Sequence, residues 1–254
     1  MNKTVLIGII IFITVIVVII IKKIINNKKK KDKLYYQNKI RSDGEIKKQI
    51  EIQEKRAEAK NKLIVKINAA SIIIPNKTNW ENFETLLNQK NIQHLIHFTD
   101  KSNLDSIIQN GGLYSWDYCE RNNIFIASPG GSQFSRELDM RKNLHNFVRL
   151  CFINDHPMMY IAMKDGRIKR PILLKISRDV IYWNDTKYSD INAATEREIV
   201  NIGSSFNHLN NIDFAIFRRN YFDLDYYEKM KYQAEVLVYE RIPINYINNI
   251  YDFC

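Results

Sequence analysis

Lys231-Tyr232-Gln233-Ala234-Glu235-Val236-Leu237-Val238, closing with Arg241-Ile242-Pro243, is the stretch on which the reading of this chain turns. Val236, Leu237 and Val238 form a short apolar run of the kind that fills a buried strand, and Pro243 stops it a few residues later. Glu235 stands at the entrance of that strand. A carboxylate there is either an edge-facing charge or a working acid. Three blocks upstream favour the acid: His97-Phe98-Thr99 followed by Asn103-Leu104, then Asn146-Phe147-Val148-Arg149, then Asn154-Asp155-His156-Pro157-Met158-Met159-Tyr160.

Around these blocks the pattern is of short strands mixed with few helices, which implies an α+β domain. A helix is expected from Asn79, as N-cap, through about Lys90, and a strand from His94 to Thr99. Ser102 to Gln109 reads as a helix ended by Asn110-Gly111-Gly112. "NIFIAS" (123–128), "FVRLCF" (147–152), "PILLKIS" (171–177) and "FAIF" (214–217) alternate or run apolar as strands do. Residues 67–254 are long enough for one domain with its own core.

The N-terminus has a different character. From Thr4 to Ile21 every residue is apolar, Gly or Thr, and Lys22 and Lys23 follow at once. Eighteen helical residues span about 27 Å, and Ile24 and Ile25 extend the span if the two lysines snorkel. No small-x-small cleavage site precedes the lysines, so residues 1–25 read as a retained transmembrane anchor rather than a signal peptide. Lys3 alone lies before the span, whereas Lys22, Lys23 and Lys28 to Lys31 crowd behind it. The positive-inside rule then gives a single-pass membrane protein with its C-terminal domain in the cytoplasm. Three scattered cysteines, Cys119, Cys151 and Cys254, agree with a reducing compartment.

The formal net charge of +10 is confined to one region. Residues 22–66 hold 16 Lys and Arg against 6 Asp and Glu, while residues 67–254 hold 21 against 22. Residues 26–66 therefore read as a basic, charged juxtamembrane spacer suited to anionic lipid headgroups, with Gly44 interrupting any continuous helix. The near-neutral domain gives no compositional support for nucleic-acid binding.

Taken in order, "HFTDKSNLDSIIQNGGL", "NFVRLCFINDHPMMY" and "YQAEVLV" resemble the DarT family of DNA ADP-ribosyltransferases, NAD-dependent toxins that attach ADP-ribose to a base of single-stranded DNA. The resemblance runs from about Trp80 to Ile247. It implies an ADP-ribosyltransferase-like fold, two small packed sheets with an NAD cleft between them. It also implies NAD as co-substrate, single-stranded DNA as acceptor and a macrodomain antitoxin as partner. Transfer to RNA or protein, and a catalytically silent membrane module, are the rival readings.

The chemistry sets what such a site needs. Breaking the bond between nicotinamide and ribose C1′ spreads positive charge over the sugar, and a carboxylate at the ribose 2′-OH counters it. The resemblance gives that role to Glu235. His97 and Thr99 lie two apart, so on a strand they share a face and can hydrogen-bond a ribose or amide of NAD; the alternative is a buried pair satisfied by backbone. Asn103 either reaches the cofactor or caps a helix. In "SPGGSQFSRELDMRKNLHN" (128–146), which lacks a P-loop pattern, the family's catalytic-loop arginine matches Arg136 in preference to Arg141. The resemblance puts Met158 at the nicotinamide, although methionines are more often core filler. Asn192, in "SDINAATE" (189–196), is expected to order the site. Tyr221, Phe222, Tyr226 and Tyr227, with Arg218 and Arg219, precede Glu235 and suit either base recognition or the inner face of a buried helix. His145, His156 and His208 show no metal spacing, and no metal is expected.

Overall fold

The computed structural model describes residues 31, 44–54, 74–196 and 198–253. The chain divides into two compact units, Met1–Lys66 and Ile67–Cys254. The expected anchor over residues 4–25 lies outside the described residues, among which no helix is long and apolar enough to cross a membrane. In the first unit residues 44–54 are helical (α1) and expose Ile46, Ile50 and Ile52; whether a helix continues past Gly44 concerns residues 32–43, which lie outside the described residues.

The second unit is built on a six-stranded antiparallel sheet. Its strands are β1 (His94–Asp100), β3 (Phe147–Cys151), β4 (Pro171–Ser177), β5 (Lys187–Ser189), β6 (Ile202–Gly203) and β7 (Glu235–Tyr239), in the order β4-β1-β3-β7-β5-β6. β2 (Gly112–Tyr114) and β8 (Arg241–Pro243) form a separate two-stranded ribbon. The two sheets are therefore unequal, not a matched pair. Gly112 is required in the ribbon: at φ 156° a Cβ there would lie 2.2 Å from the Ile242 carbonyl oxygen.

Strand alternation separates two faces. Leu95, Val148, Leu150, Leu174, Ile176, Tyr188, Val236 and Val238 point into the main core with Phe83, Leu86 and Leu87 of α2 (Trp80–Lys90) and Leu104 and Ile107 of α3 (Leu104–Gln109). Each such aliphatic side chain, fully buried, contributes about 1.5–3 kcal/mol. Ile96, Cys151 and Leu237 point the other way into two smaller clusters. Asn79 precedes α2 as expected, but in the left-handed conformation and without a side-chain cap bond; Asn91, also left-handed, ends the helix. The remaining helices are α4 (Trp116–Arg121), α5 (Gln133–Arg141), α6 (Pro157–Lys164), α7 (Phe206–Asn210) and α8 (Tyr226–Lys231).

Two expected strands are absent. Residues 123–128 make no ladder: the Asn123 and Ile124 N–H groups donate to the Glu120 and Cys119 carbonyls, the Phe125 carbonyl accepts from Ser106 Oγ and the Ser128 N–H donates to Asn103 Oδ1, so local backbone and side chains satisfy this segment instead of a strand partner. Residues 214–217 form turns and part of a 3-10 helix at Ile216–Arg218. Their apolar character comes from Phe214 and Phe217 packing on Phe152, not from a pleat.

The sheet splits where the cleft forms. β1 and β3 share a single register pair, Ile96↔Cys151. Beyond it β1 stays with β4 through Asp100, and β3 stays with β7 through Phe147.

Candidate active site

The splay opens a cleft of about 280 Å³. Glu235, Arg136, His97, Thr99, Asn103, Met158 and Asn192 all line it, so the structure brings these sequence-derived candidates together.

Glu235 is the first residue of β7 and only 8 % exposed. The register sets it between Cys151 of β3 and Ser189 of β5. Its Oε2 accepts two hydrogen bonds, from Arg149 Nη1 at 2.7 Å and from the Ala193 N–H at 2.8 Å. No described residue donates to Oε1, which leaves that oxygen for a ligand hydroxyl.

Arg149 is the residue that sequence reasoning missed. It pairs across the ladder with Leu237, one diagonal step from Glu235 and on the same face. Its other arm donates to Asp139 on α5, forming a chain Asp139–Arg149–Glu235. Burial, with help from the Glu235 charge, holds the Asp139 carboxyl above the ordinary carboxylate range despite Arg149 beside it. A guanidinium stays protonated in such a place and is fixed by its fork geometry. A single charge inside "FVRLC" was the available signal; its meaning depends on a register that the local sequence does not encode.

The second donor to Glu235 is also held in place. Lys142, just past α5, donates to the carbonyls of Ala193 (3.2 Å) and Thr195. The Ala194 N–H donates to Asn192 Oδ1 at 2.9 Å, and Ser189 Oγ donates to the Ile191 carbonyl at 2.6 Å. Asn192 thus orders the segment that presents Ala193.

On the opposite wall the polar atoms are arranged differently. His97 Nδ1 lies 3.0 Å from the Arg149 carbonyl oxygen, across the split where a ladder bond would otherwise run. A carbonyl only accepts, so Nδ1 carries the proton and Nε2 is an acceptor. Burial lowers the His97 pKa and keeps the ring neutral. Thr99 Oγ1 accepts from Asn103 Nδ2 at 3.0 Å, leaving the threonine proton free to donate. Asn103 does not cap α3: its amide also donates to the Ser128 carbonyl (2.7 Å) and accepts from the Ser128 N–H (2.9 Å). It staples the 123–128 segment to β1.

Arg136, on α5, places its guanidinium 5.1 Å from the Trp116 ring centroid and pairs with Glu120 at 2.8 Å. Arg141 turns away from the cleft to an exposed pair with Glu196, which separates the two candidates. Met158 lies in the first turn of α6, half-buried at the cleft wall. Before β7, Tyr221 packs against Tyr232, whereas Phe222 (86 % exposed), Tyr226 and Tyr227 face solvent. The buried-helix reading fails for these three rings. α8 is closed by an Asp225/Glu228 capping box, and Arg219 pairs with Glu228.

The family model described as "DarT: ssDNA thymidine ADP-ribosyltransferase, DarT" matches residues 96–253, more than half of the chain. The chain belongs to the DarT family. As a member it is an NAD-dependent ADP-ribosyltransferase acting on single-stranded DNA. Two solved DarT structures share its fold. Thermus sp. 2.9 DarT in complex with ADP-ribosylated ssDNA is 18% identical, with 62% of this chain and 79% of that chain covered and a TM-score of 0.52. Thermosipho africanus DarTG in complex with ADP-ribose is 24% identical, with 61% of this chain covered and a TM-score of 0.51. The match spans 42% of that longer DarTG chain. No curated protein matches this DarT sequence.

Proposed function

We propose that the cleft holds NAD with its nicotinamide-bearing ribose against Glu235 and passes ADP-ribose to thymidine in single-stranded DNA. One observation carries this reading: Glu235 Oε2 is locked by Arg149 and Ala193 while Oε1 opens into the cleft that the other candidate residues line. The acceptor base follows from the family description.

NAD brings the leaving group: the C1′–nitrogen bond breaks, its electron pair leaves with nicotinamide, C1′ bonds to the base, and one proton is released. Glu235 Oε1 accepts the ribose 2′-OH and opposes the positive charge that develops on the sugar. His97 Nε2 accepts and Thr99 Oγ1 donates to ligand hydroxyls on the other wall. Arg136, parked on Trp116, supplies the positive charge for the phosphates or the incoming base. Met158 gives an apolar surface for the nicotinamide ring. Exposed Phe222, Tyr226 and Tyr227 offer faces for base stacking, worth about 1–3 kcal/mol per base in such grooves.

The test uses the full chain with labelled NAD and single-stranded homopolymers. Label on oligo(dT) but not on oligo(dA) or oligo(dC) is the expected result. Label spread equally over all three, or found on RNA or protein, would retire the thymidine assignment.

Two further parts of the reading rest on other observations. Residues 4–25 anchor the chain in a membrane, and the lysine excess behind them leaves the catalytic unit in the cytoplasm. Alkaline extraction of membranes should leave the full chain in the pellet; release into the supernatant would sink the anchor. A macrodomain that removes ADP-ribose is the partner implied by the family, and the structure of the Thermosipho DarTG contains ADP-ribose. Co-expression with such a macrodomain should relieve toxicity, and unchanged toxicity would argue against it.

A further inference from the structure

His156 stands where α6 begins and is only 3 % exposed. Its Nδ1 accepts the Met158 N–H at 3.3 Å, which caps the helix. An accepting Nδ1 in a neutral ring leaves the hydrogen on Nε2. That Nε2 is buried and meets no acceptor among the described residues. Capping alone does not require this arrangement, because Ser, Asn or Asp would cap without burying an unpaired donor.

The surroundings indicate what the donor meets. The imidazole stacks on Phe98 with centroids 5.7 Å apart and planes at 25°, and Phe98, Met158 and Glu235 line the same cleft. A flat apolar wall with one neutral donor suits a planar ring bearing a carbonyl. It suits a pyrophosphate poorly, since that calls for several donors or positive charge. The nicotinamide ring of NAD adjoins the ribose assigned to Glu235 and carries such a carbonyl in its carboxamide. We propose that His156 is a specificity-determining residue of the NAD site, its Nε2–H donating to the carboxamide oxygen of nicotinamide. The proposal rests on the reading of the cleft as an NAD site. Burial pushes the His156 pKa down to about 4, so the ring adds no charge beside the cationic pyridinium. His97 is also neutral but of the opposite tautomer, an acceptor at Nε2 where His156 is a donor.

The experiment titrates carba-NAD and ADP-ribose separately into the full chain, wild type and His156→Ser. Serine retains the cap and removes the donor. The proposal expects carba-NAD to weaken by roughly five- to tenfold, the ordinary contribution of one hydrogen bond, with ADP-ribose affinity unchanged. Equal weakening of both ligands, or of neither, would overturn it. His156→Gln, which extends an amide N–H from the same position, should recover part of the carba-NAD affinity. Should His156→Ser not fold, wild-type protein decides: the 3-acetylpyridine analogue of NAD, which keeps the carbonyl, should bind well, and an analogue with an unsubstituted pyridinium poorly. Equal affinity for the two would overturn the proposal. Wild-type protein that binds neither carba-NAD nor ADP-ribose would instead overturn the NAD reading itself.

Discussion

The two walls of the cleft treat their polar atoms in opposite ways. On the β3–β7 wall the charges are closed upon one another: Asp139 to Arg149, Arg149 to Glu235, Ala193 to Glu235, with Lys142 holding the segment that carries Ala193. On the wall made by β1 and α6, polar groups are left open: His97 Nε2, the Thr99 proton and His156 Nε2–H have no partner among the described residues. The first arrangement fixes one carboxylate oxygen in place. The second supplies single donors and acceptors for a ligand to complete. On the proposed reading of the cleft, reaction and recognition fall on different walls of one split sheet.

The comparison can be broken most severely at Arg149. Arg149→Ala leaves Asp139 and Glu235 buried without their counter-charge, and a loss of about 3–5 kcal/mol in stability is expected, read as a fall in the denaturant midpoint. Arg149→Lys should recover charge but not the two-armed geometry, so stability returns further than turnover does. Full turnover in Arg149→Lys would show that the fork is not what positions Glu235.

Asp100, at the end of β1, tests the frame of the open wall. Burial alone would raise its pKa, yet N–H groups of Ser102, Lys169 and Arg170 hold the carboxyl far below the usual range. A depressed carboxyl contributes stability that is present above its unfolded value of about 3.9 and is lost as pH falls toward the folded one. Asp100→Asn should cost about 1–3 kcal/mol at neutral pH and flatten the acid limb of the stability curve. An unaltered acid limb would contradict this.

A smaller effect is expected from Thr99→Val. It removes one open hydroxyl and keeps the β-branched shape, so KM for NAD should rise by up to about tenfold with little change in melting temperature. Loss of stability with unchanged KM would move Thr99 to the structural side.

The imidazole of the open wall is tested by a pH slope. Buried neutral His156 has a folded pKa of about 4 against about 6.5 when unfolded, so its share of stability is whole above pH ~6.5 and declines as pH falls toward 4. His156→Ser should shallow that slope; an unchanged slope would mean the imidazole is not the titrating group.

The closed wall was half readable in advance. Val236-Leu237-Val238 and Pro243 are a local signal, and they placed Glu235 at a strand entrance, where it is found. Arg149 was not readable, because its partner lies 86 residues away and is set by register. The same limit explains residues 123–128: their strand-like composition is overruled by Ser106 and Asn103, which take up their backbone groups. Asn103 looked equally fit to cap a helix, and only its bonds to Thr99 and Ser128 decide the matter. His156 was considered only as a metal ligand, and its tautomer emerges from a neighbouring N–H. Short-range pattern revealed the elements; the partners come from tertiary contacts.

The most direct measurement follows labelled ADP-ribose from NAD onto thymidine-containing single-stranded DNA, comparing the full wild-type chain with Glu235→Gln. Glutamine keeps the shape and removes the charge, and a drop in kcat of at least about a hundredfold is expected, with the fold intact by circular dichroism. Transfer by Glu235→Gln at the wild-type rate would contradict the account, because the carboxylate that the closed wall holds would then have no part in the reaction.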